Sequence, residues 1–134
     1  MTQADLLSLL DKHDLRATRP RISVARLLFA DGKDRHVTAE WVAGELENDN
    51  EQVALATVYN TLHSFVAAGL MRQVNGVGQN TIIFDTNTGP HHHFLNETTG
   101  ALTDVAIDAV ELKSLPTPPD GMEISGVDLI IRVR

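Results

Sequence analysis

The sequence predicts an α+β fold in two parts: a helical first half that closes on a β-hairpin, then a small α/β second half. Three observations predict it. Apolar residues recur at helical spacing through four segments of the first 70 residues. Strand-like runs bounded by Gly and Asn begin directly afterwards. The polar stretch Asp85-Thr86-Asn87-Thr88-Gly89-Pro90 reads as a loop and divides residues 1–86 from residues 87–134.

The elements follow in order. Residues 4–12 carry Leu6, Leu7, Leu9 and Leu10, a short amphipathic helix. Thr18 reads as the N-cap of a second helix, with Arg19 and Pro20 in its first turn, where a missing N–H costs nothing. That helix continues through Ile22, Val24, Ala25, Leu27, Leu28 and Phe29. Thr38 opens a third, with Ala39, Trp41, Val42 and Leu46 as its apolar stripe. A fourth covers about residues 55–68, with Leu55, Val58, Leu62, Phe65 and Val66 facing inward and Gly69 placed as a C′ glycine. Residues 70–74 and 81–84 read as a hairpin around Asn75-Gly76-Val77-Gly78. Helices followed by a hairpin make a winged helix-turn-helix, and the fourth helix is its recognition-helix candidate. In the second half, residues 91–95 and 101–104 read as strands and residues 105–115 as a helix stopped by Pro116-Thr117-Pro118-Pro119. Residues 122–133 read as a final β segment.

Composition narrows the function classes. The 134 residues are 43% hydrophobic and 22% charged, ordinary globular usage that excludes a wholly disordered chain. No run approaches the ~18 apolar residues of a membrane span, and the acidic N-terminus lacks a signal-peptide pattern, so the cytoplasm is the default expectation and no membrane partner is expected. The absence of cysteine excludes thiolate chemistry and any Cys-bound structural zinc. The net charge of −7 argues against nucleic acid at first sight, but Arg16, Arg19, Arg21 and Arg26 form an acid-free basic run, and the local field governs contact with phosphate.

Two constellations carry chemistry. On the fourth helix, Ala56 lets the backbone approach a major groove, Thr57 and Asn60 can hydrogen-bond base edges, and Tyr59 can reach a thymine methyl or a phosphate. The bland alternative is a solvated polar face. The second constellation is His91-His92-His93, half of the six histidines. In an extended segment His91 and His93 point to one face and His92 to the other. Imidazole suits zinc, manganese, iron or heme iron.

Taken together, Leu15-Arg16-Ala17-Thr18-Arg19-Pro20-Arg21, His36-Val37-Thr38-Ala39-Glu40, Leu55-Ala56-Thr57-Val58-Tyr59-Asn60-Thr61-Leu62, Phe84-Asp85 and the His run resemble the ferric uptake regulator (Fur) family, and within it the iron response regulators. The resemblance implies a homodimeric transcriptional regulator reading a near-palindromic double-stranded DNA operator. Residues 1–86 would be the DNA-binding domain, with Arg16, Arg19, Arg21, Ala56, Thr57, Tyr59 and Asn60 at the DNA. Residues 87–134 would dimerise and sense the ligand. It implies one site from His36, Asp85 and His92, with Asp104 as a further carboxylate and the next family histidine falling on Phe94. A second would take His91, His93 and an acid on the C-terminal helix, Glu111. It associates the His run with heme and iron homeostasis, and leaves a heme-delivering enzyme open as a further partner. The resemblance thus implies a regulator responsive to heme or iron (Fe), and three other readings stand beside it: a divalent-metal (Mn or Zn) or peroxide sensor of the same family, a metal-dependent hydrolase using Glu97 or Asp104 as base, and a winged-helix protein–protein module.

Overall fold

The computed structural model describes residues 1–75, 77 and 81–134. The turn expected at residues 75–78 therefore lies in part outside the described residues. The chain divides into two compact units, Met1–Thr88 and Gly89–Arg134.

In the first unit, α1 (Gln3–Lys12), α2 (Arg19–Phe29) and α3 (Ala39–Asn48) each begin on a threonine. The hydroxyls of Thr2, Thr18 and Thr38 accept from the backbone N–H of Asp5, Arg21 and Trp41, which satisfies one orphan donor per helix. At α1 the Asp5 carboxylate also accepts from Thr2 N–H, completing a capping box. The fourth helix, α4 (Leu55–Ala67), ends as expected: Gly69 has φ 78°, its N–H donates to Val66 O, and Leu70 N–H donates to Phe65 O. This is the Schellman motif, and its left-handed residue is the reason glycine stands there.

A three-stranded antiparallel sheet completes the unit, in the order β1 (His36–Val37), β3 (Ile83–Asp85), β2 (Arg72–Val74). With α3 and α4 it forms the winged helix-turn-helix. The two-residue β1 has no sequence signal of its own; it exists because β3 offers it a partner edge. Leu6, Leu10, Val24, Leu28, Val42, Leu46, Val58, Leu62, Phe65 and Phe84 pack into one core. Each such side chain contributes ~1.5–3 kcal/mol when fully buried. Three residues assigned to the apolar faces are not in it: Leu7, Trp41 and Leu55 are 39%, 42% and 42% exposed.

The second unit is a three-stranded sheet in the order β5 (Leu102–Ala106), β4 (His91–Asn96), β6 (Ile130–Val133), with β4–β5 antiparallel and β4–β6 parallel. The expected helix over residues 105–115 is absent. Strand β5 runs through Val105 and Ala106, and only a single 3₁₀ turn, Ile107–Ala109, follows. A helix this short is held by burial of its apolar face, and here Ile107, Leu112 and Leu115 are exposed. Val105 instead faces His92 across the ladder and is buried. Glu111, placed on that helix by the resemblance, lies in irregular chain and is exposed. The final strand is also shorter than residues 122–133. Upstream of Ile130 the ladder stops, because Leu129 N–H donates to the His92 side chain. Among the described residues no helix is long and apolar enough to cross a membrane.

Candidate functional site

Helix α4 presents the predicted surface. Val58, Thr61, Leu62 and Phe65 face the core, while Ala56, Asn60 and His63 are exposed and Thr57 and Tyr59 are half-buried. Its start differs from the other three helices. The N-cap is Ala54, no side chain caps it, and its first turn holds no acid. The first-turn amides and the positive helix end thus lack a side-chain partner, an arrangement suited to a phosphate oxygen. Arg19, Ser23, Glu51, Ala54 and Thr57 line one depression of ≈ 420 Å³, so an exposed arginine of α2 lies beside that helix end. Arg16 is exposed as well. Arg21 is half-buried and its Nη1 donates to Arg16 O at 3.1 Å, fixing the chain before α2. Arg26 is tied within the unit, to Gln3 Oε1 at 2.6 Å and Glu51 Oε1 at 3.6 Å.

One partner was not visible in the sequence. Tyr59 Oη donates to Glu40 Oε1 at 2.7 Å, joining α4 to the first turn of α3. That bond holds the Glu40 carboxyl below its ordinary range and pushes the Tyr59 hydroxyl up. The Tyr59 ring also stacks on His63, with centroids 6.3 Å apart and planes inclined 19°.

Both units contribute metal-ligating residue types. In the first, β1 and β3 place His36 opposite Asp85, with Nε2 3.2 Å from Oδ2. The Asp85 carboxylate is fully buried, and its Oδ1 accepts from Asn87 N–H at 2.9 Å. Its register neighbour on the other side is Arg72 of β2.

In the second unit all three histidines are buried, and strand alternation separates them as expected. His91 and His93 share one face, their ring centroids 4.6 Å apart. Asp104, opposite His93 on β5, brings Oδ1 to 3.4 Å from His91 Nε2 and 3.6 Å from His93 Nε2. His92 faces the other way. Hydrogen bonds assign the tautomers. Gly89 O can only accept, so His91 Nδ1 carries the proton in their 2.6 Å contact, and Nε2 is the nitrogen that could ligate a metal. Leu129 N–H can only donate, so His92 Nδ1 is an acceptor, at 3.1 Å.

The resemblance places Asp104 beside the set of His36, Asp85 and His92, and Glu111 with His91 and His93. In the structure Asp104 lies beside His91 and His93, and Glu111 is exposed in irregular chain. The cause of the Asp104 placement is the register His93↔Asp104, with residues 91 and 93 on one side of the pleat.

The donor set fits a small divalent ion. Bonds of about 2.1 Å to nitrogen and oxygen put adjacent donors about 3.4 Å apart in a tetrahedron and about 3.0 Å apart in an octahedron. The two Nε2–Oδ1 distances lie at the tetrahedral edge length. With its proton on Nδ1, His91 presents an Nε2 lone pair to a carboxylate oxygen, a contact that a cation or a shared proton would make favourable.

Comparison with known proteins agrees with this architecture. Residues 12–132 match the ferric uptake regulator family. The ferric uptake regulation protein of Pseudomonas aeruginosa is 31% identical over 126 residues, 93% of each chain. Ferric uptake regulation protein 2 of Mycolicibacterium fortuitum is 31% identical over 105 residues, 78% of this chain and 70% of that one. The solved structure of the P. aeruginosa ferric uptake regulator with manganese superposes with a TM-score of 0.73 at 30% identity, covering 96% of both chains. A winged helix-turn-helix, a small β unit carrying buried histidines, and a match over nearly the whole length converge on one conclusion: the chain belongs to the ferric uptake regulator family, whose members are dimeric, DNA-binding transcription regulators rather than enzymes.

Proposed function

We propose that this chain is a homodimeric regulator whose DNA binding responds to a divalent metal ion held by His91, His93 and Asp104, in the service of iron homeostasis. The observation that carries the reading is the convergence of two buried imidazole Nε2 atoms on one carboxylate oxygen at 3.4 and 3.6 Å. Nitrogen and oxygen donors without sulfur suit manganese, ferrous iron or zinc, and manganese is the ion named for the P. aeruginosa relative. His36 and Asp85 supply a second imidazole–carboxylate pair of the same chemistry. By linkage, the ion changes DNA affinity only to the extent that it binds the DNA-competent arrangement more tightly than the others.

Dimerisation through the second unit is supported by its surface. Its buried residues are His91, His92, His93 and Val105, while Phe94, Ile107, Leu112, Leu115, Met122 and Ile124 are exposed. A three-stranded sheet with so small an interior gains its stability from a covering partner. Arg16, Arg19 and Arg21 would contact phosphates, and Ala56, Thr57, Tyr59 and Asn60 the major groove.

The heme reading rests on the resemblance to the iron response regulators and on His91–His93. It is favoured less by the geometry. A porphyrin face must come within about 2 Å of an Nε2 atom, and His91 and His93, 5% and 1% exposed, already face Asp104 there.

The test is fluorescence anisotropy of an A·T-rich, near-palindromic iron-uptake promoter fragment. Metal-free protein is titrated alone, with manganese or ferrous iron, and with stoichiometric heme. Binding that appears on adding the divalent ion and is indifferent to heme is expected. Binding by metal-free protein that falls only on adding heme would overturn the divalent-ion reading and restore the heme sensor.

A further inference from the structure

The bond between Tyr59 and Glu40 has a chemical consequence at the DNA surface. It rests on the reading of α4 as the groove-reading helix. A phenol has one O–H donor, and its oxygen accepts through lone pairs. Here the proton is committed to Glu40 Oε1 at 2.7 Å, a charge-assisted bond stronger than one between neutral groups. Glu40 is exposed in the first turn of α3, and Thr38 caps that helix, so the carboxylate is carried on a fixed backbone. At its other edge the Tyr59 ring stacks on His63, which itself packs edge-on against Phe84 with centroids 5.4 Å apart. The hydroxyl is thus tied to Glu40 and the ring to His63, and the phenol oxygen keeps its lone pairs as acceptors.

A phosphate oxygen needs a donor, which this hydroxyl no longer offers, and the Glu40 charge repels the backbone besides. Guanine O6 and N7 and thymine O4 are acceptors too. The partners it fits in the major groove are the exocyclic amino groups of adenine N6 and cytosine N4. We propose that Glu40 is a specificity-determining residue: by taking the Tyr59 proton it turns that hydroxyl into a reader of amino-bearing bases and away from phosphate, guanine and thymine.

The experiment uses a duplex selected from a random pool by the manganese-loaded full-length protein. Each position is then replaced by every base pair and affinities are read by fluorescence anisotropy. Tyr59→Phe identifies the position Tyr59 reads, as the one whose preference flattens. At that position wild type is expected to prefer adenine or cytosine by about tenfold, the worth of one net hydrogen bond. In Glu40→Gln the amide can donate to the phenol oxygen, which frees the Tyr59 proton. The preference should then relax to under about threefold or move to guanine or thymine, with unaltered circular dichroism. Glu40→Gln placed on Tyr59→Phe should change the base profile no further, which separates action through Tyr59 from direct contact by Glu40. An unchanged profile in Glu40→Gln, a wild-type preference for guanine or thymine, or no position flattened by Tyr59→Phe overturns the assignment. Failure of the wild-type protein to select any sequence would instead remove the DNA-reading function on which it rests.

Discussion

His92 and His93 are neighbours in sequence with opposite employment, and replacing each by alanine separates them. An ion present at 100 times its Kd stabilises the folded state by about 2.7 kcal/mol. For a chain of this length that is a rise in Tm of roughly 10 °C. His93→Ala removes one of the two Nε2 atoms that face Asp104 Oδ1. If affinity falls about 100-fold, the same ion concentration yields only about 0.4 kcal/mol, a rise of about 2 °C or less. His92→Ala behaves differently. It takes the acceptor from Leu129 N–H and empties a side chain only 2% exposed. The metal-free protein should lose about 1–3 kcal/mol from the stranded donor alone, yet keep a metal-induced rise near 10 °C. The assay is differential scanning fluorimetry of each variant with and without manganese or zinc, read as the shift within one variant rather than between variants. A shift lost in His92→Ala and kept in His93→Ala would refute the assignment of faces on β4.

Three further outcomes test other parts of the structure. Arg19→Ala, which removes an exposed cation beside the uncapped start of α4, should lower the slope of log K against log salt by about 0.9 for every DNA sequence; an unchanged slope in anisotropy titrations counts against a phosphate contact. Asp31 is held well below the usual carboxylate range by hydrogen bonds from the Arg35 guanidinium. A depressed folded-state pKa gives stability that is present above about pH 4 and lost as pH falls below it, so the Tm gap between wild type and Asp31→Asn should be widest near neutrality and close in acid, and a gap that widens in acid contradicts the pairing. Gly69→Ala meets no atom within 4 Å, so its cost is the left-handed backbone at φ 78° alone: urea denaturation should show about 1–2 kcal/mol lost at unchanged m, and no loss would mean that the Schellman turn tolerates a side chain.

The helical half was legible because its signals are local. Threonines at residues 18 and 38, Pro20 in a first turn and Gly69 past a last turn each act within four residues of themselves, and each stands where its chemistry requires. Signals that depend on a distant partner were not legible. The apolar run after Val105 has helical spacing, but β4 claims Val105 as a strand residue and nothing in the unit receives Leu112 or Leu115. Leu7, Trp41 and Leu55 carry the apolar character expected of a buried face yet are exposed, since which arc of a helix is covered depends on the elements packed against it. At the candidate site, alternation correctly separated His92 from His91 and His93. It could not say which pair Asp104 would join, because that is set by the β4–β5 register. Glu40 could not be linked to Tyr59 either: they are 19 positions apart in sequence, and only the helix-turn-helix crossing brings them together.

The parallel pairing of β6 with β4 bears on how the second unit assembles. Strands β4 and β5 form a hairpin whose closing pair, Leu95 and Leu102, is near in sequence. The first pair on the other side joins His93 to Ile130, across most of the unit. Loop-closure entropy makes the hairpin early and the parallel docking late. During synthesis the hairpin therefore waits with one flank of β4 open until residues 130–133 have been made. That flank, bearing Phe94 and Leu95, is a template for the β4 of another unfinished chain. The strand that carries the three histidines is thus also exposed to misassembly until β6 docks beside it.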